Sequence, residues 1–230
     1  MALSFVGATS QVKSVGTGNS MTVNVPSVTD GDLLLLALIS IGSSWSLTSG
    51  LDGWTPVTET VDGSGGANAI IRVYSRVASS EPASYTPVLS STARCAVTIA
   101  AYRGQNVSPV HVFDSNTANL ADTAWTSAEV TTVVEDCWLV TVAGSRSTST
   151  TGGWTNADGS DSERADVVGS GSTSATLALY DSNRVLASGT YDRDLTASTA
   201  FNQVSSISIA LRPATTPISS DGFIGWGMPI

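Results

Sequence analysis

The chain has 230 residues, a formal net charge of −9 and 41% hydrophobic residues, with only 13% charged, about half the usual share. Hydrophobic content of that size supports a packed core rather than disorder. The acidic balance, with Lys13 as the single lysine, argues against any protein that must hold a nucleic-acid backbone.

β-signals follow one another along the chain. SMTVNVP (20–26) alternates Met21, Val23 and Val25 against Thr22 and Asn24, a half-buried strand closed by Pro26. TDGD (29–32) is a turn that launches LLLLALISI (33–41), a continuous apolar run of the kind a central strand covered on both faces requires. WTPVTETV (54–61), the glycine-rich GSGG (63–66) and NAIIRVYSRVA (68–78) read as strand, loop and strand. ASYTPVLS (83–90) and RCAVTIAAYRG (94–104) complete the first half. No long amphipathic helix interrupts them.

The second half echoes the first. DGDLLLLAL, GWTPV and the segment from IIRVYSRVA to IAAYRG are answered by VEDCWLVTVAG, GWTNA and the segment from TLALYDSNRV to SISIALRP. Landmarks fall in the same order: Asp32 with Asp136, Trp54 with Trp154, Tyr74 with Tyr180, Tyr85 with Tyr191, Arg103 with Arg212. The expected fold is a single all-β, jelly-roll-like antiparallel sandwich over residues 1–212. Its two pseudo-duplicated halves run roughly 1–104 and 126–212, each supplying strands to both sheets, with a connector at 105–125. Two small sandwiches in tandem are the alternative. The connector carries Val107, Val110, Val112 and Phe113 and so is not a Gly/Ser linker, which favours one unit. Residues 213–230 are an extended C-terminal tail.

Chemistry is sparse in this sequence. The one histidine, His111, lies between Val110 and Val112, and no G-x-S-x-G elbow supplies a nucleophile. Cys95 and Cys137 sit in apolar runs and read as core residues rather than a disulfide pair. With one histidine they give no zinc-ligand spacing. The acid-rich stretches are ADGSDSERAD, with Asp158, Asp161, Glu163 and Asp166, and YDRDL, with Asp192 and Asp194. The first reads as a solvated loop, in preference to a calcium loop or a pair of glycosidase acids. In the second, both acids face away from Arg193, and their first-half counterparts are Thr86 and Val88. The repeated GWT reads as a tight turn followed by a tryptophan that closes the core, in preference to a tryptophan stacking on a sugar. No catalytic residue, metal or cofactor is expected.

The opening MALSFVGATS lacks the charge and the apolar stretch of a signal peptide. The apolar run Leu33–Ile39 is too short to span a bilayer. The expectation is a soluble protein made in the cytoplasm.

Pro26, Gly31-Asp32, Gly53-Trp54-Thr55, Tyr74-Arg76-Ala78, Glu81-Pro82 with Tyr85-Thr86, and Tyr102-Arg103-Gly104 together resemble a β-sandwich domain family of tailed-bacteriophage virion proteins. The resemblance is strong in the first half and weaker in the second. It implies a non-enzymatic structural protein, most like head decoration or minor capsid proteins. Its partners would be the major capsid protein and copies of itself, as dimer or trimer, on the head exterior. A glycan-binding tail-fibre or adhesin-type module, using Trp45, Trp125 or Trp154 and the Asp158–Asp166 loop, is the rival. In either case the tail SSDGFIGWGMPI is unusual in carrying Phe223, Ile224, Trp226, Met228 and Ile230. Aromatics and methionine are favoured anchors in partner contacts, so these residues are expected to dock on a neighbouring subunit or the shell. The other outcome is folding back over a sheet edge.

Overall fold

The nine residues of LLLLALISI are all buried. They are covered on both faces, which is why the run shows no polar alternation. They form β3 (Leu33–Ile41) in a computed structural model that describes residues 2–13, 18–42, 45–60, 69–118, 122–147, 153–156, 159, 161–170, 174–201 and 203–214. Before β3 come β1 (Ser4–Lys13) and β2 (Val23–Asn24). After it come β4 (Leu47–Ser49), β5 (Thr55–Glu59), β6 (Ala69–Val77), β7 (Ser84–Tyr85), β8 (Val88–Leu89) and β9 (Arg94–Arg103).

The second half opens with β10 (Gln105–Ala118), β11 (Asp122–Thr126), β12 (Val130–Thr132), β13 (Trp138–Ser147) and β14 (Trp154–Asn156). It closes with β15 (Ser162–Val168), β16 (Ser174–Asp181), β17 (Gly189–Tyr191), β18 (Asp194–Phe201) and β19 (Gln203–Pro213). Among the described residues there is no helix.

Two five-stranded antiparallel sheets result, in the orders β1-β9-β3-β6-β5 and β10-β19-β13-β16-β15. Position for position they are wound alike: the first strand of each half lies beside its last, followed by the apolar strand. This is jelly-roll winding. It corrects the expectation that each half feeds both sheets. Each half's own first and last strands close its sheet, so each contributes one sheet whole. Much of the segment read as a connector is β10, the counterpart of β1 and an edge strand paired with β19.

The two sheets meet face to face in the main core. Leu35, Ile39, Ile71 and Ala100 of the first half lie in one cluster with Val140, Val142, Leu177, Leu179, Ile207 and Ile209 of the second. The packing is reciprocal: β9 lies on β16 as β6 lies on β19, and β1 on β15 as β5 on β10. Such exchange of equivalent contacts is the signature of a two-fold interface, here within one chain. At its centre the sheets come close enough that a Cβ on Gly144 would stand 2.6 Å from Ile39 Cδ1 and 3.0 Å from the Thr176 carbonyl. Tyr102 meets Trp138 edge-on at 6.4 Å, and Ser205 Oγ donates to the Ala69 carbonyl at 3.1 Å.

Smaller ribbons cover the outer faces. The pairs β2–β7 and β4–β8 lie over the first sheet, where Leu34, Leu36 and Leu38 pack with Val23, Trp54 and Leu89. Over the second, β11-β18-β14 and β12–β17 bring Trp154 and Leu195 onto Ala178 and Tyr180, and Val130 onto Leu139.

Strand register fixes which residues are equivalent. Leu33 pairs with Tyr102 as Trp138 pairs with Leu211, and Tyr74 lies opposite Leu36 as Tyr180 lies opposite Thr141. The Tyr74/Tyr180 and Arg103/Arg212 equivalences therefore hold. Asp32 with Asp136 does not: the residue before β13 is Cys137, so Cys137 takes the place of Asp32 and Asp136 that of Gly31. The backbone agrees, with φ of +93° at Gly31 and +61° at Asp136, a left-handed turn position that Gly and Asp both accept.

Candidate functional site

Asp32 with Arg103, and Arg76 with Glu81, Tyr85 and Trp54, build a clamp at one end of the first half. Asp32, buried at the mouth of β3, accepts from Arg103 Nε and Nη2, both at 2.7 Å, and from the Thr29 N–H at 2.9 Å. The Arg103 hydrogen bonds hold its carboxyl below the ordinary range. Arg76 donates to Glu81 at 2.8 Å, Tyr85 donates its hydroxyl to the same carboxylate, and the Tyr85 ring stands edge-on to Trp54 at 5.2 Å. Burial and Glu81 push the Tyr85 phenol up to about 12. Burial alone would raise Glu81, but hydrogen bonds from Tyr85 and Arg76 outweigh it and hold its carboxyl low.

In the second half the clamp is rebuilt with other parts. Cys137 offers Arg212 no carboxylate, and Arg212 instead donates Nε to His111 Nδ1 at 3.1 Å, with Nη2 at 2.6 Å. Burial and the arginine charge lower the His111 pKa, so the neutral ring acts as an acceptor. Cys95 and Cys137 are both buried free thiols.

The first acid-rich stretch is not a solvated loop: Ser162–Val168 is strand β15, and its acids are engaged. Asp161 pairs with Arg193, with side-chain exposures of 1% and 6%. That places Arg193 inside while Asp192 and Asp194 are exposed, as the alternation predicts. Arg164 makes a two-pronged pair with the fully buried Asp181, at 2.8 and 3.0 Å, while its guanidinium lies 4.1 Å over the Phe5 ring of the other half. Glu163 accepts from the Tyr180 hydroxyl at 3.3 Å. Asp166 accepts from the Trp154 N–H at 3.1 Å, and burial and the Glu163 charge push it up to about 6. Asp158 lies outside the described residues. No group of three or more metal-ligating side chains comes together among the described ones.

The tryptophans separate sharply. Trp45, Trp54 and Trp154 are buried, so two of the three named for a sugar site, Trp45 and Trp154, have no free face. Trp45 is capped by the Arg72 guanidinium at 4.0 Å. Trp125 is half-buried and lines an open groove of about 620 Å³ together with Asn116, Thr126, Asp194 and Thr196. Its indole N–H donates to Ser206 Oγ at 3.4 Å, Asn116 Nδ2 donates to the Thr126 carbonyl at 3.4 Å, and Thr126 Oγ1 donates to Asp194 Oδ1 at 2.8 Å. The GWT repeat marked Trp54 and Trp154 as core residues, but nothing in the sequence pattern distinguished Trp125 from the buried Trp45. The useful signal was the half-to-half asymmetry at Asp194.

Phe223, Ile224, Trp226, Met228 and Ile230 lie outside the described residues. Comparison of the chain with protein-family models, with curated proteins and with solved structures finds no match.

Proposed function

We propose that this chain is a non-enzymatic structural protein of a tailed-bacteriophage virion, a decoration protein of the cement or minor-capsid kind on the head exterior. The observation that carries this reading is the engagement of its chemistry-bearing residues. Asp32, Glu81, Asp161 and Asp181 are each held by an arginine, and His111 is held by Arg212. Residues so engaged stabilise a block and leave function to its surface.

A doubled jelly roll with a reciprocal core is suited to that task, since a rigid body can tie neighbouring subunits together through added buried area. In this reading the major capsid protein and a second copy of the chain are the partners, in dimers or trimers. The segment 213–230, through Phe223, Ile224, Trp226, Met228 and Ile230, supplies the anchor. The virion assignment itself draws on the string of residues from Pro26 to Gly104 described above.

Mass spectrometry of gradient-purified particles tests it. The chain should appear in fixed ratio to the major capsid protein, and its absence from washed particles would overturn the assignment. A glycan-binding tail-fibre or adhesin-type module is the second reading, and the Trp125 groove is the observation that favours it.

A further inference from the structure

Duplication gives this molecule an internal control. A residue the scaffold needs recurs at the same register in both halves, as Tyr74 and Tyr180, and Tyr85 and Tyr191 do. A residue that differs was free to change. In the second half Trp125 lies opposite Leu195 and Thr126 opposite Asp194. In the first half the same pairing bridges Ser20 to Val88 and bonds the Leu89 N–H to the Asn19 carbonyl at 2.7 Å. Leu89 and Leu195 are both buried in the outer-face clusters, which anchors the equivalence. Trp125 therefore stands where the first half has Asn19, and Asp194 where it has Val88. The scaffold makes this β-pairing without either residue.

Both residues face one groove, whose volume of about 620 Å³ falls in the range of small-molecule sites, about 300–1,000 Å³. An indole whose N–H is fixed by Ser206 offers its ring as a platform. The exposed Asp194 carboxylate, the Asn116 amide and the Thr126 and Thr196 hydroxyls line the same groove and offer planar acceptors and paired donors. A ligand that uses both must be apolar on one face and carry hydroxyls around its rim. Among the described residues no lysine or arginine lines the groove, and the chain carries a net charge of −9, so phosphate and acidic sugars are disfavoured.

We propose that this groove binds a neutral saccharide ring, stacked on Trp125, with its hydroxyls held by Asp194 and Asn116. The site binds and does not cleave. Among the described residues Asp194 is the one carboxylate lining the groove, and glycoside hydrolysis takes two acids flanking the bond. The proposal does not depend on the virion reading and does not stand or fall with particle attachment.

The test uses the full chain, titrated with trisaccharides of glucose, galactose, mannose and N-acetylglucosamine, with sialyllactose as the acidic control. It is followed by calorimetry and by the tryptophan indole resonances. The variants are Trp125→Asn and Asp194→Val, each the residue the scaffold already carries in its other half. At least one neutral trisaccharide should bind and shift the Trp125 indole resonance. Either variant should weaken that binding by about tenfold or more, the factor that about 1.4 kcal/mol represents, with the melting temperature of Asp194→Val unchanged. If no trisaccharide moves the Trp125 resonance, if sialyllactose alone binds, or if binding survives Asp194→Val intact, the proposal is wrong. Should Trp125→Asn fail to fold, Asp194→Val, at an exposed position, decides alone.

Discussion

Among the described residues Asp166 is a carboxyl whose surroundings act against its charge. Burial and the Glu163 carboxylate lift it from 3.8 to about 6, although the Trp154 N–H donates to it. The native protein thus holds this proton more tightly than the unfolded chain does. The stability it contributes is fully present below pH 3.8 and is lost as pH rises through about 6. Asp32 and Glu81, whose carboxyls are held low, act in the opposite sense and lose their contribution on acidification. Asp166→Asn isolates the single group: the variant should gain stability relative to wild type between pH 4 and pH 7, read as urea midpoints. A constant difference across that range would show that the carboxyl titrates normally. At this scale the sequence was readable where a side chain does one job in both halves, as Trp54 and Trp154 do in covering the outer faces. It misled at Asp136, because a left-handed turn position takes Gly or Asp alike and letters can then align one place out of register.

Among elements, β13 shows most clearly how the halves are joined. Its Gly144 lies where Ile39 and Ile71 of β3 and β6 press from the other sheet. Gly144→Ala should cost about 1–3 kcal/mol, the usual range for overpacking, and the double variant with Ile39→Val, which removes the crowding Cδ1, should recover part of it. Equal loss in the single and double variants, measured by denaturant unfolding, would mean that the Thr176 carbonyl rather than the sheet contact sets the limit. The central strands were legible because burial on two faces leaves an unbroken apolar run. β10 was not. An edge strand has one neighbour to satisfy and one side in water, so its pattern is mixed. Exposed Phe113 and Val107 alternate poorly with Asp114, Ser115 and Asn116, and the register shifts near Val110 break the period further.

The described residues form two jelly-roll halves that share the largest of the core clusters. Neither sheet can lose its partner without exposing Leu35, Ile39, Leu177 and Ile207 together. Calorimetric unfolding should therefore show one transition with equal calorimetric and van't Hoff enthalpies. Leu35→Ala, at a position 1% exposed, should lower its midpoint without splitting it, at a cost of about 2–5 kcal/mol. Two resolved transitions would mean that the halves are independent. Duplication was readable from ordered landmarks, whereas the assignment of strands to sheets was not. Both arrangements bury the same apolar residues, and the difference lies in pairings about a hundred residues apart, which local pattern does not encode.

The most direct test of the structural role adds purified chain to heads that lack it and counts bound copies after sedimentation. A second sample ends at Ala214, whose N–H bonds to the Gly104 carbonyl at 2.7 Å, so that β19 stays intact. The full chain should bind to saturation and the shortened chain should bind far more weakly. If neither sediments with the heads, the decoration role is contradicted.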